Sequence, residues 1–233
     1  MAPDQPAPER NLRLPPAPVD VSGFRAPPPA PAEQRKPPGS PLGQLAAPED
    51  AAMSAARSRA GQTPDLPSPP VGALLAWTSA TVRARGVVEV GSCAGVTGLW
   101  LLRGMIPRGV LTTIDPDPQA QKLAARAYEQ AGVTSRIRAI LGDPLEVLPR
   151  LSDGGYDLLV LKSVGPDHPR YLDHALRLLR PGGVLLARQI TEGNPSDLRA
   201  RREFVQLLTE DERLAAAVLP LDTGVAVATL LSR

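Results

Sequence analysis

From residue 86 onward the chain alternates short apolar runs with segments of helical period, and this alternation constrains the fold more than any other feature. "GVVEV" (86–90), "VLTTID" (110–115), "IRAILG" (137–142), "YDLLVLK" (156–162) and "GVLLARQ" (183–189) read as strands. Between them, "VTGLWLLRGM" reads as a helix and "DPLEVLPRL" as a short one. Asp117-Pro118 starts a helix striped by Ala120, Leu123, Ala124, Ala127 and Ala131. Leu172, Ala175, Leu176 and Leu179 stripe another, which stops at "RPGG", and Phe204, Leu207 and Leu208 mark the last. Strictly alternating β and α units imply a parallel sheet wound on both faces. "YDLLVLK" is continuously apolar, as a strand buried on both faces should be. "LAAAVLPL" and "GVAVATLL", joined at Asp222-Thr223-Gly224, read as a closing hairpin. The expected fold is α/β: a Rossmann-like, doubly wound, seven-stranded and mostly parallel sheet with a C-terminal antiparallel hairpin.

Three regions are expected. Residues 1–48 hold fourteen of the 28 prolines and one aromatic, Phe24, too little apolar surface to offset the entropy of ordering. They read as a disordered tail, whose PxxP spacings at Pro15–Pro18 and Pro28–Pro31 arise by chance in so proline-dense a stretch. Residues 49–85 form a helical cap: "EDAAMSAARSRA" is alanine-rich, and Ser68-Pro69 supplies an N-cap and first-turn proline for a helix over 69–83. Residues 86–233 form the ligand-binding domain. The tail lacks the apolar run of a secretory signal, and no segment approaches the about 18 apolar residues of a membrane span, so a cytoplasmic protein is expected. Cys93 is the sole cysteine, which excludes a disulfide framework and a zinc cluster. The net charge of +2 comes from 26 basic and 24 acidic residues, and "RARR" (199–202) reads as a solvated helix face, so no nucleic-acid partner is expected.

The first βα turn, "EVGSCAGVTG", carries Gly91, Gly95 and Gly98. Glycine there permits a tight turn and close approach of a ligand to the amides of the next helix. Asp115, 24 positions after Gly91, stands at the end of the second strand, where a ribose-binding carboxylate is expected. A dinucleotide and a nucleoside-bearing sulfonium would both use it. The dinucleotide fingerprint wants glycine where Cys93 stands, and its usual sheet is wholly parallel. Both points favour S-adenosylmethionine over NAD, leaving an NAD-linked oxidoreductase as a distant alternative.

The segments "VVEVGSCAGVTGLWLL", "GVLTTID", "LGDPLEVLPRL", "YDLLVLK" and "LLRPGGVLLAR" together resemble the class I O-methyltransferases of the catechol and caffeoyl-CoA type, particularly their small bacterial members, over roughly residues 60–233. The resemblance implies methyl transfer from S-adenosylmethionine to an oxygen of a small acceptor. It places Glu89, Gly91, Cys93 and Gly95 in the cofactor-binding motif and Thr97 at the cofactor's carboxylate. Asp115 falls at the ribose, and Gly142 and Asp143 beside the adenine. Asp143 reads equally well as an ordinary N-cap. Family members usually dimerise, which implies a homodimer.

Metal-dependent relatives hold a divalent cation with a carboxylate at the end of the fourth strand and an Asp-Asn or Asp-Asp pair at the end of the fifth. Magnesium wants such hard oxygen ligands. Here Lys162 takes the first position, Arg188 and Gln189 take the pair, and Val164 stands at a further acid position. Like charges about 4 Å apart repel by roughly 4 kcal/mol at an effective dielectric of about 20, so no metal is expected. Asp167 and Asp173 follow in the next loop and helix and do not rebuild the site. Three readings of Lys162 follow. It and Arg188 do the cation's electrostatic work, steadying an oxyanion or gripping a carboxylate or phosphate on an anionic acceptor. Or the chain is a cofactor-binding protein without catalysis, because an ammonium beside the sulfonium repels it. Or Lys162 packs its stem on the sheet edge with its head in water. For a general base, the candidates are Lys162 with a depressed pKa and His168, which also reads as a surface residue at a helix start.

Overall fold

The structure, a computed structural model, describes residues 48–61 and 65–232. The proline-rich tail and its PxxP spacings, save Pro48, lie outside the described residues. Two helices, α1 (Ala51–Ala60) and α2 (Pro69–Thr81), precede β1 (Gly86–Val90), α3 (Val96–Gly104), β2 (Val110–Asp115) and α4 (Pro118–Gln130). There follow β3 (Ile137–Leu141), α5 (Pro144–Val147), β4 (Tyr156–Leu161), α6 (His168–Leu178), β5 (Leu179–Arg188), α7 (Pro195–Glu210), β6 (Leu214–Leu219) and β7 (Val225–Leu230). Helix starts follow the cap chemistry written in the chain. The side chains of Asp50, Ser68, Asp117, Asp143 and Asn194 each accept a hydrogen bond from an amide in the first turn, and proline opens four of those five helices.

The seven strands form one sheet in the order β3-β2-β1-β4-β5-β7-β6. β1 pairs in parallel with β2 and β4, and only β7 runs against its neighbours, β5 and β6. The strand order therefore reverses between β1 and β4, so the crevice beyond their C-terminal ends is where ligands bind in such sheets. Alternation along each strand feeds two cores. Val87, Leu111, Leu158 and Val160 pack with Leu75, Trp100, Leu101 and Tyr128 of α2 to α4. Val88, Ile114, Leu159 and Leu161 pack with Leu148, Leu178, Phe204 and Leu208 on the other face. Among the described residues no helix is long and apolar enough to cross a membrane.

Several details depart from the sequence reading. Within "RARR", expected to be a solvated face, Arg201 is buried and its Nε donates to Val164 O at 3.0 Å. β5 begins at Leu179, not 183, because Tyr156 pairs with Leu179 before the register slips to Leu158 with Val184. That irregularity accommodates Gly182 at φ +77° inside the strand, so Leu179 leaves the helical stripe. Gln189 ends outside the strand with φ +57°. Leu207 lies on α7 but is 39% exposed, because the core stripe runs through Ala200, Phe204 and Leu208.

Candidate active site

The turn after β1 turns sharply over the end of the sheet. Gly91 N–H donates to Ile114 O at 2.8 Å, and Lys162 N–H to Val90 O at 2.9 Å, so β2 and β4 hold both sides of it. Gly91 has φ +88°. A Cβ there would lie 2.6 Å from Lys162 Cβ, so the lysine stem crosses the turn where only glycine leaves room. Gly95, at φ +89°, likewise admits Ala127 of α4 to 2.8 Å from where its Cβ would be. Between them Cys93 (φ +45°) and Ala94 (φ +52°) are also left-handed, a conformation that costs a side-chain-bearing residue about 1–2 kcal/mol. Asp115 holds the turn in that shape. Its Oδ2 accepts from Ser92 N (2.7 Å) and Ser92 Oγ (2.8 Å), and its Oδ1 from Asp117 N (3.0 Å). The acid expected at a ribose is thus first a clamp between β2 and the glycine turn.

Both oxygens of Glu89 and the hydroxyls of Thr97, Thr113 and Tyr128 are buried without a hydrogen bond of full geometry; the Thr113 hydroxyl lies close to Glu89 and Tyr128, and that of Thr97 to the Cys93 thiol. Burial pushes the Glu89 carboxyl up to about 8. Asp115 adds to the rise, while Arg188 and the Thr113 hydroxyl, which approaches without full hydrogen-bond geometry, oppose it. Native interiors seldom leave such groups unpaired, because each one costs about 1–3 kcal/mol. Glu89 and Thr113 are register partners on β1 and β2, while Thr97 and Tyr128 come from α3 and α4. At the end of β3, Gly142 N–H donates to Asp115 O at 3.2 Å, and Asp143 Oδ1 accepts from Leu145 N at 2.7 Å. The cap reading of Asp143 is therefore realised.

The ends of β4 and β5 meet beside the turn. Lys162 Nζ lies 2.7 Å from Asp65 Oδ2, and Gln189 Nε2 donates to Asp65 Oδ1 at 3.1 Å. Arg188 is 3% exposed; its two terminal nitrogens donate to Asp65 O (3.0 Å) and to Cys93 Sγ (3.5 Å). Burial alone would lower the Lys162 pKa, but the Asp65 carboxylate, with help from Cys93 and Asp115, holds it above its ordinary value. Lys162 is therefore an ammonium at neutral pH. The expectation of a lysine depressed enough to act as a base is overturned, because its close neighbour is an acid and not a cation. Nor does its head lie free in water. His168 is also not the surface residue anticipated: it is 5% exposed, edge-on to Phe204 at 6.2 Å between ring centroids, in the core of the opposite face.

Asp65 is the site residue that the sequence reading missed. It lies in "PDLPSPP", which carries only a break signal, and its partner Gln189 is 124 residues away. Together with Leu66, Cys93, Asp117 and Lys162 it lines a cavity of about 250 Å³. A larger cavity of about 630 Å³, walled by Trp77, Arg180 and Val184, shares no residue with it. The donor set at the strand ends does not fit magnesium. An ammonium, a guanidinium and an amide surround one carboxylate that is already ion-paired, whereas the ion wants several hard oxygens. Among the described residues, no group of three or more His, Cys, Asp or Glu side chains is placed to hold a metal ion.

Comparison with known proteins agrees with this geometry. A family model described as O-methyltransferase matches residues 68–231. A Mycobacterium sp. (strain JLS) protein named "Putative O-methyltransferase" is 43% identical over 190 residues, covering 77% of this chain and 86% of its own length. Among solved structures, a Corynebacterium glutamicum protein is 30% identical with a TM-score of 0.73, covering 82% of this chain and 95% of its own. The O-methyltransferase TomG of Streptomyces achromogenes, involved in tomaymycin synthesis and solved in complex with S-adenosylmethionine, is 27% identical with a TM-score of 0.72, covering 82% and 94%.

Proposed function

The chain belongs to the O-methyltransferase family, and on that premise we propose that it transfers a methyl group from S-adenosylmethionine to an oxygen of a small, anionic acceptor without a divalent metal. The observation that carries this reading is the convergence of Lys162 and Arg188 on one carboxylate-bearing residue at the ends of β4 and β5. The unpaired Glu89 and Thr97 beneath the turn fit the polar amino-acid end of the cofactor, and Asp115, Gly142 and Asp143 line the strand ends toward its nucleoside. Gly91, Cys93 and Gly95 shape the turn that would carry it.

S-adenosylmethionine supplies an electrophilic methyl group on a sulfonium, and the chain supplies alignment and charge. Alignment of nucleophile and methyl accounts for much of such an acceleration, so a metal-free centre retains a strong catalytic device. Arg188, bound to a carbonyl and a thiol, places fixed positive charge beside the acceptor, next to the ion-paired Lys162. This favours its ionised oxygen and so reduces the need for a separate base. A cofactor binder without catalysis is the competing reading, and it leans on repulsion between the Lys162 ammonium and the sulfonium. The Asp65 ion pair offsets that charge, which removes its main support.

The test is an acceptor screen with labelled S-adenosylmethionine, run with and without EDTA. Turnover that survives EDTA is expected; turnover abolished by EDTA and restored by magnesium overturns the metal-free claim. Calorimetry with S-adenosylmethionine and NAD is expected to show binding of the first alone.

A further inference from the structure

Lys162 and Gln189 stand at the ends of neighbouring strands and each takes one oxygen of the same carboxylate: Nζ to Asp65 Oδ2 at 2.7 Å, Nε2 to Asp65 Oδ1 at 3.1 Å. A planar, two-oxygen anion is therefore gripped from both sides by donors one residue past the ends of β4 and β5. The carboxylate itself comes from the short connection between α1 and α2, outside the sheet. Arg188 binds the backbone carbonyl of the same residue at 3.0 Å, so it helps to position Asp65 without using the carboxylate. Neither charge is deeply buried, since the Lys162 and Asp65 side chains are 30% and 41% exposed. Part-exposed pairs of this kind contribute little to stability, so they exchange readily for an equivalent partner.

We propose that the Asp65 carboxylate is an internal stand-in for a carboxylate of the acceptor. Lys162 and Gln189 then form a carboxylate subsite that the protein itself fills until the acceptor displaces Asp65. This rests on the methyltransferase reading above and narrows its acceptor to a hydroxy acid. It also resolves the charge at the centre. Lys162 is neutralised by Asp65 before the acceptor arrives and by the acceptor afterwards, so the sulfonium never faces a lone ammonium.

The experiment measures binding of 3,4-dihydroxybenzoate and of catechol, which lacks the carboxylate, by calorimetry in the presence of S-adenosylhomocysteine. Wild-type protein is compared with Asp65→Asn, and with Asp65→Ser should the first variant fail to fold. Removing the internal competitor is expected to tighten 3,4-dihydroxybenzoate about two- to fivefold, the scale of one part-exposed ion pair, and to leave catechol unchanged. In the Asp65→Asn background, Lys162→Met is expected to abolish that gain. Equal affinities of the benzoate for wild type and Asp65→Asn overturn the proposal, as does weaker binding to the variant, which would make Asp65 an organiser of Lys162. A gain shared equally by catechol also overturns it, since Asp65 would then be a steric cover. The EDTA assay reads the parent claim separately: magnesium-dependent turnover with a retained Asp65→Asn gain would sink the metal-free reading and leave the carboxylate subsite standing.

Discussion

Two buried carboxylates lie at opposite ends of the same sheet and have opposite fates. Asp157, at the start of β4, accepts from Arg85 N (2.7 Å), Gly86 N (2.9 Å) and Arg180 Nε (2.5 Å). Burial alone would raise its pKa, but the two amides and the guanidinium hold it below the usual carboxylate value. Glu89, near the end of β1, is fully buried and neither oxygen has a hydrogen bond of full geometry; burial pushes its pKa up to about 8. The two arginines of β5 repeat the contrast. Arg180 at its start pairs with Asp157, whereas Arg188 at its end binds a carbonyl and a thiol. One end of the sheet is satisfied internally and serves stability. The other leaves buried polar groups without hydrogen bonds of full geometry, and on the proposed reading a ligand would meet them.

The largest effect should come from breaking the satisfied end. Asp157→Ala orphans two backbone amides and removes the ion pair of Arg180, which keeps its bonds to the Val82 and Pro181 carbonyls, and about 3 kcal/mol of stability should be lost in urea titrations, with cofactor binding at low temperature retained. At the other end, Arg188→Ala should lower turnover by about 100-fold, the scale of one lost transition-state donor, while shifting the urea midpoint little. If Arg188→Ala instead unfolds the protein with activity per folded molecule unchanged, the division between the two ends collapses.

The ends should also differ in pH response. Glu89 has a folded pKa raised from 4.5 to about 8, so the stability of the ligand-free protein is fully present below the unfolded value and falls as pH rises toward 8, by up to about 1.4 kcal/mol per unit. Asp157 has a lowered folded pKa, so its contribution is present above the unfolded value of 3.8 and is lost on further acidification. Glu89→Gln should remove the first slope and Asp157→Asn the second, both read from denaturation curves between pH 3 and 8. The smallest effect concerns Thr97. Thr97→Val removes an unpaired buried hydroxyl and should leave the ligand-free protein as stable or more so by up to about 1 kcal/mol, while weakening S-adenosylmethionine measurably in calorimetry.

Much of the fold is legible in the chain because its signals are local. The continuous apolar run of β4, the Asp117-Pro118 and Ser68-Pro69 helix starts and the glycines after β1 each act within a few residues. The β5 boundary was misjudged because "RPGG" looks like a stop, whereas pairing of Leu179 with Tyr156 across the sheet extends the strand. The positions of Lys162, Arg188 and Asp115 at strand ends were also readable. Their partners were not. Asp115 was read as a ribose ligand, and its three bonds to Ser92 and Asp117 appear only once β2 lies beside the turn.

Periodicity, caps and residue type are written locally, so a doubly wound sheet, a glycine turn at its switch point and cations at the ends of β4 and β5 can be read from the chain. The charge state of that centre follows from folding. Folding brings Asp65 to Lys162 and Gln189, and it seals Glu89 away from water without a hydrogen bond of full geometry. A pKa depends on the burial and neighbours that folding creates, and neither is encoded at the residue that titrates.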